Sequence, residues 1–212
     1  MASLNPRQQE AVNDISGPLL VLAGAGSGKT SVITRKIAYL VRECGIKAQN
    51  IVAVTFTNKA AREMKERVSL LIKGKDARGL TVSTFHNLGL NIIRKEHQRL
   101  GYKPGFSIFD QQDAQALITD LMHRDYGADD GTEGIQAQIS SWKNDLIMPE
   151  QALAQAKTPQ EQTAASVYMH YNRTLKAYNA VDFDDLILVP VTLFREHPDI
   201  LEKWQFRIRY ML

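Results

Sequence analysis

Lys29 and Thr30 close the run Ala23-Gly24-Ala25-Gly26-Ser27-Gly28-Lys29-Thr30, with Ser31 next, and no other stretch is so suited to gripping an anion. Glycines let successive backbone N–H groups curl around a charged ligand without interference from Cβ atoms. Lys29 can then reach the β and γ phosphates of a nucleotide, and the Thr30 hydroxyl can ligand Mg²⁺. A helix beginning near Lys29 adds the positive end of its dipole. The strict phosphate-loop pattern opens on glycine, where this chain has Ala23. That place falls at the end of a strand rather than under the phosphates, so the departure is discounted. A glycine-rich turn with an accidental Lys-Thr would not need strand, turn and helix in this order; the order predicts a nucleoside-triphosphate site.

Three short apolar, β-branched runs are placed to position that loop and its surroundings: Leu19–Ala23, Ile51–Thr55 and Leu80–Thr84. Their hydrophobicity is continuous rather than alternating, which suits parallel strands covered on both faces. Helices fit between them. The segment 30–42 puts Val32, Ile33, Ile37 and Leu40 or Val41 on one side. The segment 59–72 puts Ala61, Met64, Val68 and Leu71 on one stripe, with Lys59, Arg62, Lys65 and Arg67 elsewhere on the surface. Strand and helix in alternation predict a doubly wound α/β domain.

In open α/β sheets, ligands gather at the carboxyl ends of the strands. Thr55-Phe56-Thr57-Asn58-Lys59 and Thr84-Phe85-His86-Asn87 both stand there. Thr57 or Asn58 can cap the following helix. Phe56, an aromatic at a loop mouth, suits stacking on an unpaired base while Lys59 and nearby N–H groups hold phosphate. His86 can meet a phosphate or a base, although a histidine satisfied within the fold is the simpler reading.

Beyond Thr84 the texture changes. Residues 88–179 read as almost wholly helical, broken by a short strand at Phe106–Phe109, with a loop over Asp125–Gly134. Asp110 can cap a helix, and Thr158-Pro159-Gln160-Glu161 has the form of a capping box. Trp142 and the inward-spaced Val167, Tyr171, Leu175 and Tyr178 read as core. Asp182, Asp184 and Asp185 precede an apolar helix kinked at Pro190; helix capping is favoured there over a metal site. The α/β host resumes near residue 180, which predicts a domain of residues 1–87 with 180–212 and an inserted helical domain of 88–179.

The net charge of +3 hides a split. Residues 1–100 carry 16 Lys and Arg against 7 Asp and Glu, whereas residues 101–212 carry 10 against 16. A basic first half favours a polyanionic partner. One cysteine, Cys44, excludes a disulfide framework, and no apolar run approaches the ~20 residues of a membrane span. A soluble cytoplasmic protein is expected.

Taken in order, these segments resemble the start of the superfamily-one DNA helicases of the UvrD/Rep/PcrA group, over essentially the whole chain. Leu4 to Val12 is similar to the group's Q motif, and the resemblance implies that Gln8 reads the adenine edge. Ala23 to Thr30 matches motif I. Thr55 to Met64 matches motif Ia, which implies single-strand contacts from Phe56, Thr57, Asn58 and Lys59. Ser83 to His86 resembles the next DNA-contacting motif, which adds Thr84 and His86. Asp182 to Leu186 matches the segment where the family chain re-enters its first RecA-like domain. The resemblance therefore implies an ATP- and Mg²⁺-dependent motor moving 3′ to 5′ on single-stranded DNA and at single-strand/duplex junctions, with replication or repair proteins as partners. Ser31 stands where many members carry a nucleotide-contacting arginine. In the family, an Asp-Glu pair and arginine fingers would follow beyond Leu212, so this stretch alone is expected to hydrolyse ATP poorly. Two other readings start from the same loop: a nucleotide-dependent DNA-binding module without turnover, and a small-molecule kinase that ignores DNA.

Overall fold

The computed structural model describes residues 3–127 and 131–212. The chain divides into two compact units, one of residues 3–88 with 199–212 and one of residues 89–198. In the first, α1 (Pro6–Asn13) and α2 (Lys29–Arg42) precede β1 (Ile51–Thr55), α3 (Asn58–Leu71) and β2 (Thr81–Thr84). Helix α4 (Phe85–Glu96) begins in this unit and continues into the second. The second unit holds β3 (Ser107–Phe109), α5 (Gln111–Tyr126), α6 (Thr132–Asn144), α7 (Pro149–Gln155), α8 (Pro159–Ala177), β4 (Ala180–Asp182) and α9 (Asp185–Glu196). Helix α10 (Pro198–Arg207) and β5 (Tyr210–Met211) then return the chain to the first unit.

The first unit is α/β, with a parallel sheet in the order β2-β1-β5. Ile51 and Ala53 of β1, Ile37 and Leu40 of α2, and Met64, Val68 and Ile72 around α3 form its core. Of the stripes read from the sequence, Ile33, Ile37, Leu40 and Val41 of α2 and Met64 and Val68 of α3 pack in this cluster, whereas Val32 and Leu71 lie outside it and Ile72 packs there instead. Leu19–Ala23 departs from expectation: no ladder includes it, and Leu20 and Leu22 are 83% and 88% exposed. An all-apolar strand gains by burial only when neighbours cover it on both sides. None of the described residues pairs with this run in a sheet.

The second unit is mostly helical, but it also contains a two-stranded parallel sheet, β3 with β4, in the register Ser107↔Ala180 to Phe109↔Asp182. That pairing corrects the boundary expected near residue 180. Val181 packs with Ile93 and Leu186, so residues 180–198 belong to this compact unit rather than to the first. Asp110 caps α5, and Thr158 with Glu161 forms a capping box on α8. Trp142 stacks on Tyr168 at 6.0 Å inside the main core, where Tyr168 and Tyr171 are fully buried. Tyr178, expected inward, is exposed because it lies just past the C-terminus of α8. The acidic loop is narrower than expected: α5 runs through Tyr126 and α6 starts at Thr132, while 128–130 lie outside the described residues.

Pro190 sits inside α9 without ending it. Its missing N–H frees the Leu186 carbonyl, four residues earlier, from its helical partner. Gly89 of α4 lies against that carbonyl so closely that a Cβ there would be 1.7 Å from the oxygen. Only glycine fits this crossing.

Candidate nucleotide loop and strand-end contacts

The loop from Gly24 to Gly28 turns on two glycines in the left-handed region, Gly26 at φ 73° and Gly28 at φ 85°. L-residues with a Cβ avoid that region, so the sequence dictates the turn. Gly28 is the N-cap of α2, and no side chain caps this helix end. The first N–H groups of a helix have no intrahelical acceptor. An uncapped start of this kind keeps them available to an anion.

Lys29 folds back over the loop, its Nζ donating to the carbonyl oxygens of Ala23 at 3.0 Å and Gly24 at 2.6 Å. The Ser27 hydroxyl donates to the Gly24 oxygen at 2.7 Å. The ammonium is thus held by neutral oxygens only, and transfer to a phosphate replaces weak acceptors with a charged one. Thr30 is half-buried at the head of α2, one residue beyond Lys29. Ser31, also half-buried, offers its carbonyl to the Thr34 hydroxyl.

Gln8 comes to this loop from α1. Its Nε2 donates to the Ser27 carbonyl at 2.9 Å, and its Oε1 accepts the Asn5 N–H at 3.0 Å. The Gln8 N–H in turn donates to the Asn5 side chain at 2.8 Å, completing a capping box on α1. Exchanging O and N of the amide would break both side-chain bonds, so its orientation is fixed.

The strand-end residues also gather. Thr55 and Thr84 are register partners in neighbouring parallel strands, so Phe56 and Phe85 follow side by side. Their ring centroids are 5.8 Å apart. Phe56 is 87% exposed and Phe85 is partly so. Below them, the Asn87 side chain donates to the Asn58 side chain at 3.2 Å, joining the starts of α3 and α4. Thr57 caps α3 by accepting the Ala60 N–H. Lys59 and His86 are exposed, three residues after Phe56 and one after Phe85 in the chain. Thr84 is different from its expected role: it is 6% exposed and its hydroxyl accepts the Asn87 N–H, so it positions α4 rather than presenting a hydroxyl outward. Phe85 was not singled out from the sequence, because only the strand register brings it beside Phe56.

The Asp182–Asp185 segment has a partner that sequence did not reveal. Lys143 of α6, its side chain fully buried, donates to Asp182 at 2.7 Å and Asp185 at 2.8 Å. Tyr171 also donates to Asp182, at 2.9 Å. Burial works against charge on Lys143, but the two carboxylates outweigh it and hold its pKa above the ordinary lysine value. Burial pushes the Asp185 carboxyl up to about 6, against the pull of Lys143. The Asp185 N–H is taken by the Asp182 side chain, so the helix start is satisfied from the strand, and Asp184 makes no side-chain cap. A lysine occupies the place where a cation could have been suspected. Among the described residues, no group of three or more His, Cys, Asp or Glu could hold a metal ion, and no helix is long and apolar enough to cross a membrane.

Comparison with known proteins gives this geometry a family. Residues 4–212 match the model of the UvrD/REP helicase N-terminal domain. The chain is 52% identical over 210 residues to the ATP-dependent DNA helicase Rep of Salmonella typhimurium strain LT2, and likewise to Rep of Escherichia coli K12. It is 41% identical over 210 residues to the ATP-dependent DNA helicase PcrA of Staphylococcus aureus. These matches cover 98–99% of this chain but only 29–31% of each relative, so the chain spans about a third of their length. The glycine loop, the paired strand ends and the family match agree: this chain belongs to the UvrD/REP helicase N-terminal domain family.

Proposed function

We propose that this chain is the ATP- and single-stranded-DNA-binding N-terminal part of an ATP-dependent DNA helicase that travels 3′ to 5′. On this reading the first unit is a RecA-like phosphate-loop core, the second an inserted helical domain, and the protein works in the cytoplasm at single-strand/duplex junctions with replication or repair proteins. The observation that carries it is the loop: two left-handed glycines, an uncapped helix start and Lys29 held only by neutral carbonyls.

The residues divide the work. Backbone N–H groups from Gly24 to Ser31 and the Lys29 ammonium hold the phosphates. Thr30 supplies one hydroxyl ligand to Mg²⁺, which neutralises phosphate charge when bound. A single protein ligand fits an ion that keeps several waters and takes its other ligands from phosphate. Gln8 retains one N–H and one lone pair after its bonds to Ser27 and Asn5. That donor–acceptor pair matches the N7 and N6 edge of adenine. Phe56, flanked by Phe85, offers a stacking face to an unpaired base, with Lys59 and His86 beside it for phosphate. Turnover, translocation and unwinding are assigned to the whole polypeptide, in which closure of a second domain around ATP would move the strand-end rings.

Titrating salt against oligo-dT binding tests the DNA half of this reading. Affinity is expected to fall steeply, with a log–log slope of about −0.7 for each phosphate neutralised. Binding that is absent or indifferent to salt would contradict it and favour a kinase acting on small molecules.

A further inference from the structure

Helix α1 has only one buried side chain, Val12, across its eight residues. A helix so short is marginal by itself, and one buried side chain fixes its orientation only weakly. Polar bonds fasten it instead, one set at each end. Gln8 ties the first turn to the Ser27 carbonyl of the glycine loop. At the other end Lys36, reaching from α2, donates to the Ala11 carbonyl at 3.0 Å and to the Asp14 carbonyl. The last carbonyls of a helix lack intrahelical partners, and a cation there also meets the negative end of the dipole. Helix α1 has no basic residue of its own in its last turn.

Lys36 is 8% exposed, an unusual place for a lysine. Burial lowers its pKa, and the Asp14 carboxylate opposes that shift. It stands two helical turns after Lys29, which puts both residues on one side of α2. The helix that carries the phosphate-binding lysine therefore also carries the residue that fastens α1.

We propose that Lys36 and Asn5 are positioning residues for base recognition: Lys36 sets the place of α1 against the loop, and the Asn5 side chain, by accepting the Gln8 backbone N–H, caps the first turn from which Gln8 projects. Neither touches the nucleotide. Both act through Gln8, so the proposal rests on the reading of Gln8 as the adenine contact. Its consequence is selective. Loss of either residue loosens the helix that carries Gln8 and weakens recognition of the base, while the phosphate grip of Gly24 to Thr30 stays.

The test measures binding of ATP, GTP and inorganic tripolyphosphate to the wild-type chain and to Lys36→Met, Lys36→Arg and Asn5→Ala. Lys36→Met and Asn5→Ala are expected to weaken ATP about tenfold and to narrow the preference over GTP, in line with one lost oriented hydrogen bond. Tripolyphosphate affinity should stay unchanged, and Lys36→Arg should restore ATP over GTP. Equal losses for all three ligands, or an unaltered ATP-to-GTP ratio, would overturn the proposal. If Lys36→Met fails to fold, Asn5→Ala decides, because Asn5 is exposed. A wild-type chain that binds tripolyphosphate as well as ATP refutes the Gln8 reading instead, and one that binds neither refutes the phosphate site.

Discussion

Two lysines of this chain hold opposite kinds of environment. Lys29 is exposed and rests on two loop carbonyls, whereas Lys143 is fully buried between two carboxylates with a tyrosine hydroxyl alongside. The contrast separates a cation that can be handed to a ligand from one that is already spent. Neutral oxygens hold an ammonium weakly, so on the proposed reading Lys29 would gain by exchanging them for phosphate. Lys143 has no such gain open to it, since leaving would strand two buried negative charges.

The largest expected effect breaks the buried side of this contrast. Lys143→Ala should cost about 3–5 kcal/mol of stability, because it leaves an uncompensated carboxylate pair. Lys29→Ala, at an exposed site, should stay within about 0.5 kcal/mol in the same thermal melt. Similar losses for the two would erase the distinction. Gly89→Ala comes next: the added Cβ meets the Leu186 carbonyl, and strain of about 3 kcal/mol is expected. Urea denaturation measures it.

Acidity sharpens the comparison. The folded pKa of Asp185 is raised to about 6, above its unfolded value, so its contribution to stability is full at low pH and fades as pH rises through 6. Asp185→Asn should therefore gain stability relative to the wild type between about pH 4 and pH 7. A difference that stays constant, or runs the other way, contradicts the assignment. The smallest expected effect lies at the strand ends. Phe56→Ala should leave the melting temperature unchanged and weaken oligo-dT binding by about 1–3 kcal/mol, the range for one stacked base. Fluorescence anisotropy reads the binding term directly.

Local signals were legible where one residue type answers one local need. The glycines at 26 and 28, the caps at Asp110 and Thr158, and the buried stripe Ala61, Met64 and Val68 could all be read from spacing alone. Features that depend on a distant partner could not. Asp182 and Asp185 were visible as a cluster, but their cation sits about forty residues earlier on α6, in a residue type that usually faces water. Phe85 needed the β1–β2 register before it could be placed beside Phe56. Leu19–Ala23 has the composition of a covered strand and is uncovered among the described residues, because composition reports what a segment can bury and not what lies over it. The boundary near residue 180 failed for a related reason: β4 is three residues long and takes its partner from β3.

The most direct measurement of the central claim is binding of a non-hydrolysable ATP analogue to the wild-type chain and to Lys29→Ala, with both confirmed folded by circular dichroism. The account predicts saturable binding by the wild type and a loss of at least about tenfold in the variant, as expected for a charge-assisted bond to phosphate. Equal affinity in the two chains would contradict it, because the ammonium now resting on Ala23 and Gly24 would then have no part in holding the triphosphate.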